Sequence, residues 1–199
     1  MKKLLLLLAV LLILNSTVAC AEWETFKSAD GMYEYTKDGV ITAYYGDEFA
    51  FFPAEIDGTI INEIGVMACF DLGIESISFE EGIELINTSA FEGCNAECAY
   101  IPSSVKSIGE RAFANCANLN EVTLNSEEIT FDFDVFAGTG FIQFYIPCTA
   151  DEHVMYEKIS DAKGDGNFSF SLMHTALVES MTEKDIFGEN MIYCEDCGF

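Results

Sequence analysis

Between residues 64 and 147 the sequence repeats itself at steps of 22 to 23 residues. Ile64-Gly65, Ile86-Asn87, Ile108-Gly109 and Phe131-Asp132 occupy one column of the repeat. Ala68-Cys69, Ala90-Phe91, Ala112-Phe113 and Val135-Phe136 occupy a second. A third holds Leu72, Cys94, Cys116 and Thr139. A fourth holds Phe79, Ile101, Leu124 and Ile146, with Pro102 and Pro147 directly after two of its members. A unit this short cannot bury its own apolar face. Neighbouring units must stack into a solenoid, each covering the next.

Within each unit one stretch alternates apolar and polar residues: Ile74 to Phe79, Ala96 to Ile101, Leu119 to Leu124 and Phe141 to Ile146. Period two predicts short strands with one face in the core. The turn S-S-V-K-S-I-G (103–109) leads into E-R-A-F-A-N-C (110–116), a short helical or turn-like segment on the opposite side. L-N-E-V-T-L (119–124) satisfies the L-x-x-L-x-L pattern of leucine-rich repeats.

These residues carry a specific resemblance. Ile101 to Leu124 resembles a nearly complete repeat of the BspA-type leucine-rich-repeat family. Phe51 to Gly65, with its I-D-G insertion, is similar to that family's first repeat, and Phe141 to Ser160 to its terminal cap. The chain departs from the family pattern at Ala96 and Ala99, where larger residues are usual, at Cys69 in place of Phe, and at Thr139 in place of Cys. Looser packing is expected near the second strand and the last repeat. The resemblance implies an α+β, β-rich fold: a short solenoid of about four units between a β-rich N-terminal cap and a mixed C-terminal cap. The expected boundaries are a cap at 22–53, repeats at 54–148, and a cap with its tail at 149–199. It also implies an exported or surface-displayed bacterial protein that takes part in adhesion.

The first 21 residues have the layout of a secretory signal: Lys2 and Lys3, the apolar run Leu4 to Leu14, then N-S-T-V-A-C-A. Eleven apolar residues are few for a membrane span, and no later run approaches that length. Cleavage after Ala21 and lipidation of Cys20 are both compatible with this stretch, although a lipoprotein box usually has Leu where Thr17 stands. Removing the segment leaves 34 acidic against 7 basic residues, a charge near −27. A chain this acidic is repelled by phosphate backbones and anionic lipid surfaces, which excludes nucleic-acid binding and polybasic membrane attachment. The acids are spread along the chain and form no dense block.

Candidate chemistry is sparse. Cys94 and Cys116 recur where a compact apolar side chain closes a turn, the behaviour of a buried free thiol. Cys98 falls on the outward phase of its strand beside Ser76 and Glu121. Cys194-Glu195-Asp196-Cys197-Gly198 is a lone C-x-x-C-G knuckle, a weak metal candidate because zinc needs four ligands and no second knuckle exists. Asp161 to Asn167 reads as a turn, since Lys163 sits where a calcium loop needs a carboxylate. Asp132 and Asp134 read as a solvated pair. His153 and His174 suit no nucleophilic triad, so no catalytic residue and no cofactor is expected. The surface best suited to function is the outward phase of the strands. Phe51, Ser78, Tyr100, Thr123 and Tyr145 form one row, flanked by Ser76, Cys98, Glu121 and Gln143, with Glu80 and Asn125 at the border. Aromatic side chains among small polar ones suit binding of an extracellular protein or glycan. Ordinary cross-strand pairing would place the same residue types there.

Overall fold

The computed structural model describes residues 24–164 and 167–173. The signal-like segment with Cys20, and the tail with His174, Cys194 and Cys197, lie outside the described residues.

The N-terminal cap is an antiparallel meander of β1 (Thr25–Lys27), β2 (Tyr33–Thr36) and β3 (Val40–Tyr44). Lys37-Asp38-Gly39 makes its second turn. Gly39 has φ +86, and a Cβ there would strike the Ile60 carbonyl, so no other residue fits. Next come β4 (Phe49–Phe52) and a hairpin of β5 (Glu55–Ile56) and β6 (Thr59–Ile60), which holds the I-D-G insertion. Asp57 and Gly58, both with positive φ, form its turn. The Asp57 carboxylate accepts the Ala29 amide at 2.9 Å, tying the insertion to the cap.

From there the chain coils. Long strands β8 (Ser76–Phe79), β10 (Cys98–Ile101), β12 (Glu121–Leu124) and β14 (Ile142–Pro147) alternate with two-residue strands. The short ones are β7 (Glu63–Ile64), β9 (Leu85–Ile86), β11 (Ser107–Ile108) and β13 (Thr130–Phe131). After β14, helix α1 (Glu152–Lys163) starts at Asp151, whose side chain accepts the amides of His153 and Val154, and ends at left-handed Gly164. It leads to β15 (Phe168–Met173). One parallel sheet runs β4-β8-β10-β12-β14-β15. The other runs β1-β2-β3-β7-β9-β11-β13, parallel from β3 onward.

This is the expected β-rich solenoid, with six long strands where about four units were read. Two details differ from the sequence-based reading. Asp161 to Lys163 belong to α1, not to a turn. Phe141 points outward, half exposed, because β14 begins one residue later with Ile142 inward.

The turns that link short strands to long ones are not helical. They hold two columns of left-handed residues at the repeat period: Met67, Ser89, Arg111 and Asp134, then Asp71, Gly93, Asn115 and Gly138. Backbone hydrogen bonds tie each turn to the next, as in Cys69 N to Ala90 O (2.8 Å), Phe91 N to Ala112 O (2.8 Å) and Phe113 N to Val135 O (2.9 Å). Inside them, Phe91, Phe113 and Phe136 stack nearly parallel at 5.3 and 5.7 Å. At Cys69, where the column lacks its ring, Phe52 and Phe79 pack edge-on against Phe91 at 5.3 and 5.6 Å. The buried side chains of both sheets join in one core that includes Ala96 and Ala99.

Candidate functional site

Period two forces every second residue of the six-stranded sheet out of the core, and the parallel register then aligns these residues from strand to strand. Phe51 faces Ser78, Ser78 faces Tyr100, Tyr100 faces Thr123, Thr123 faces Tyr145, and Tyr145 faces Ser171. A second row aligns Phe49, Ser76, Cys98, Glu121, Gln143 and Ser169. The residues read as one outward row are therefore neighbours in space. Sequence reasoning missed three members. Phe49 lies two residues before Phe51, so alternation alone would have found it. Ser169 and Ser171 lie in F-S-F-S, whose period two is visible but whose place in the coil is not.

Phe49 and Phe51 are 68% and 47% exposed, the apolar end of the face. The Tyr33 hydroxyl holds the backbone beneath them by donating to the Phe51 carbonyl at 2.5 Å. Asn125 donates to the Tyr100 hydroxyl at 2.5 Å, fixing the ring from the border of the row. Burial and the nearby Glu121 carboxylate raise the Tyr145 phenol above its ordinary value, so it remains a neutral donor. Gln143 bridges two strands: its amide accepts from Ser169 Oγ at 2.5 Å and donates to Ser171 Oγ at 3.2 Å. Cys98 Sγ lies 3.5 Å from Ser76 Oγ. Glu80 sits past the end of β8 and accepts the Ala54 amide at 2.8 Å, which commits it to the backbone of the preceding coil.

The other chemical candidates do not converge on one site among the described residues. Cys69, Cys94, Cys98, Cys116 and Cys148 are free thiols. Cys94 and Cys116 are buried and donate to the carbonyls of Cys69 (3.0 Å) and Phe91 (3.1 Å). Burial pushes their thiols up to about 11 and about 12. Such groups stay protonated and are poor nucleophiles. Thr139 continues the column in the last coil, and its hydroxyl lies 2.9 Å from the buried Lys163 ammonium, which donates to it. Glu92 receives Arg111 at 2.6 and 3.2 Å, with Ser89 and Asn115 completing the cluster, and Arg111 holds its carboxyl below the usual range. Asp132 and Asp134 are exposed on a turn. His153 is exposed and lies 3.6 Å from Glu157. Among the described residues no three His, Cys, Asp or Glu side chains converge as a metal site, and no helix is long and apolar enough to cross a membrane.

Comparison with known proteins finds a family model described as "BspA type Leucine rich repeat region" that matches residues 50–156 in six copies. No curated protein matches. Three solved structures are similar at low identity. The pneumococcal vaccine antigen PcpA is 17% identical with a TM-score of 0.43, over 75% of this chain and 31% of that one. The Treponema pallidum (T. pallidum) leucine-rich repeat protein is 17% identical with a TM-score of 0.36, over 64% and 70%. A leucine-rich repeat protein from Bacteroides capillosus is 21% identical with a TM-score of 0.36, over 74% and 98%. The chain spans less than a third of the length of the pneumococcal antigen.

Proposed function

We propose, from the premise that this chain belongs to the BspA-type leucine-rich repeat family, that it is an exported, non-catalytic binding module whose outward strand face holds an extracellular partner. Charge carries this reading. The sequence has 34 Asp and Glu residues, yet of the outward side chains aligned across the six long strands only Glu121 belongs to an acidic or basic residue. Depletion of charge around aromatic anchors is the compositional mark of the centre of an interface. Proteins of this family generally bind other proteins, and one structural relative is described as a vaccine antigen. The signal-like N-terminus supports export, with release at Ala21 or a lipid on Cys20 as the two forms of the mature chain.

The test is the double substitution Tyr100→Ala with Tyr145→Ala, assayed by capture of extracellular-matrix proteins and by a glycan array. The variant is expected to keep the wild-type urea midpoint and to lose the partner. Unchanged binding would remove the strand face from consideration, and no binding by the wild-type chain would favour a purely structural role. Mass analysis of the exported chain separates a free N-terminus at Glu22 from a lipidated Cys20.

A further inference from the structure

The strand face has an order that charge depletion alone does not require. Across six adjacent strands the first row reads Phe51, Ser78, Tyr100, Thr123, Tyr145, Ser171, an aromatic ring and a hydroxyl in unbroken alternation. Strands lie about 4.8 Å apart, so rings recur at about 9.6 Å with a hydroxyl midway between them. Cross-strand packing gives no reason for this spacing, since aromatic pairs stabilise a sheet best on adjacent strands. A folded protein surface is irregular and gives no reason for it either.

An extended β-linked sugar chain does. Its rise per sugar is close to the strand spacing, and successive sugars are turned over, so every second one presents the same CH-rich face. Such a face packs on an aromatic ring through dispersion contacts. The intervening sugars turn their other ring face to the sheet, with their equatorial hydroxyls along its edges, where the small side chains of Ser78, Thr123 and Ser171 leave room for the ring and can bond to those hydroxyls. The second row supplies Ser76, Glu121, Gln143 and Ser169, donors and acceptors suited to sugar hydroxyls at the flank of the chain. Charge narrows the class. Where the strands begin, the backbone of Glu75 bonds to Glu48 and that of Glu97 to Glu75, which lines up three exposed carboxylates beside the face. That column repels uronic or sulfated sugars and leaves neutral ones unaffected.

We infer that the outward strand face binds a linear, uncharged β-linked glycan laid along the solenoid axis, with Phe51, Tyr100 and Tyr145 stacking on every second sugar. This rests on the strand face being the binding surface and names what it takes. Calorimetric titration of the full chain with cellohexaose and chitohexaose tests it, with maltohexaose (curved, α-linked) and a hyaluronan oligosaccharide (anionic) as counter-probes. One or both extended neutral hexasaccharides are expected to bind, and the counter-probes are not. Phe51→Ala, Tyr100→Ala and Tyr145→Ala should each weaken binding by roughly tenfold while the urea midpoint stays near wild type. Ser78→Lys, which removes no ring but sets a long charged chain between Phe51 and Tyr100, should abolish it. Glycan binding that survives all four substitutions overturns the inference. Capture of an extracellular protein that Tyr100→Ala with Tyr145→Ala abolishes, with no response to either hexasaccharide at millimolar concentration, overturns the glycan and leaves the binding face standing. Silence toward both probes overturns the two together.

Discussion

The outward strand face and the stacked turns on the other side of the coil are built from the same 22–23-residue unit, but their residues answer to different demands. In the turns, the backbone dictates the sequence. Each coil crosses the left-handed region twice, which favours Gly, Asn and Asp at the second crossing: Asp71, Gly93, Asn115, Gly138. The ring stack and the thiols of Cys94 and Cys116 fill the space beneath. On the outward strand positions the fold asks only for a side chain that tolerates a pleated surface. Regularity in the turns is therefore explained by folding. The ring-and-hydroxyl order on the strands is not required by folding in this way.

This contrast can be broken by measurement. Phe113 is fully buried at the centre of the three-ring stack, so Phe113→Ala should cost about 3–5 kcal/mol in urea unfolding. A loss below 1 kcal/mol would mean that the turns do not hold the coil. Gly138→Ala should cost about 1–3 kcal/mol, because φ is +74 and a new Cβ would lie 2.5 Å from Asn115 Oδ1. Thermal melts against pH address the thiols. Burial raises Cys94 and Cys116 from the ordinary 9.0 to about 11 and about 12. The unfolded chain ionises first, so their contribution is intact below pH 9 and falls as pH climbs through 11 and 12. Cys94→Val should flatten that alkaline decline. Arg111→Gln, which opens the partly exposed pair with Glu92, should cost about 0–1 kcal/mol, with the difference from wild type shrinking as acid protonates Glu92. Last, Thr123→Ala on the strand face should change stability by no more than about 0.5 kcal/mol. A larger loss would make the face structural and weaken the contrast.

The repeat and the strand row were legible because both are periodicities: 22–23 along the chain and two within a strand. Steps of that length place Ser78, Tyr100 and Thr123 in register before any coordinates are known. What escaped had no periodic signature. Met67 and Arg111 take left-handed backbone without being Gly or Asn, so nothing in their identity signals it. The short strands contribute two residues each, too few to alternate. At β15 the spacing fails because α1 replaces the usual turn, yet Phe168 and Phe170 pack on Phe144 at 6.0 and 6.2 Å and continue the coil. At the register position of Leu119 the chain holds Phe141, yet it is Ile142 that turns into the core there, a local reversal that the spacing does not reveal.

The backbone ladder has a mechanical consequence. Most inter-strand hydrogen bonds in the repeats lie along the axis of the coil, each joining one turn only to its neighbours. A molecule held at one end and pulled at the other would load those bonds a rung at a time. It would lengthen in steps near a constant force rather than fail at once, and would absorb work while a ligand on its side stayed bound to the coils still closed.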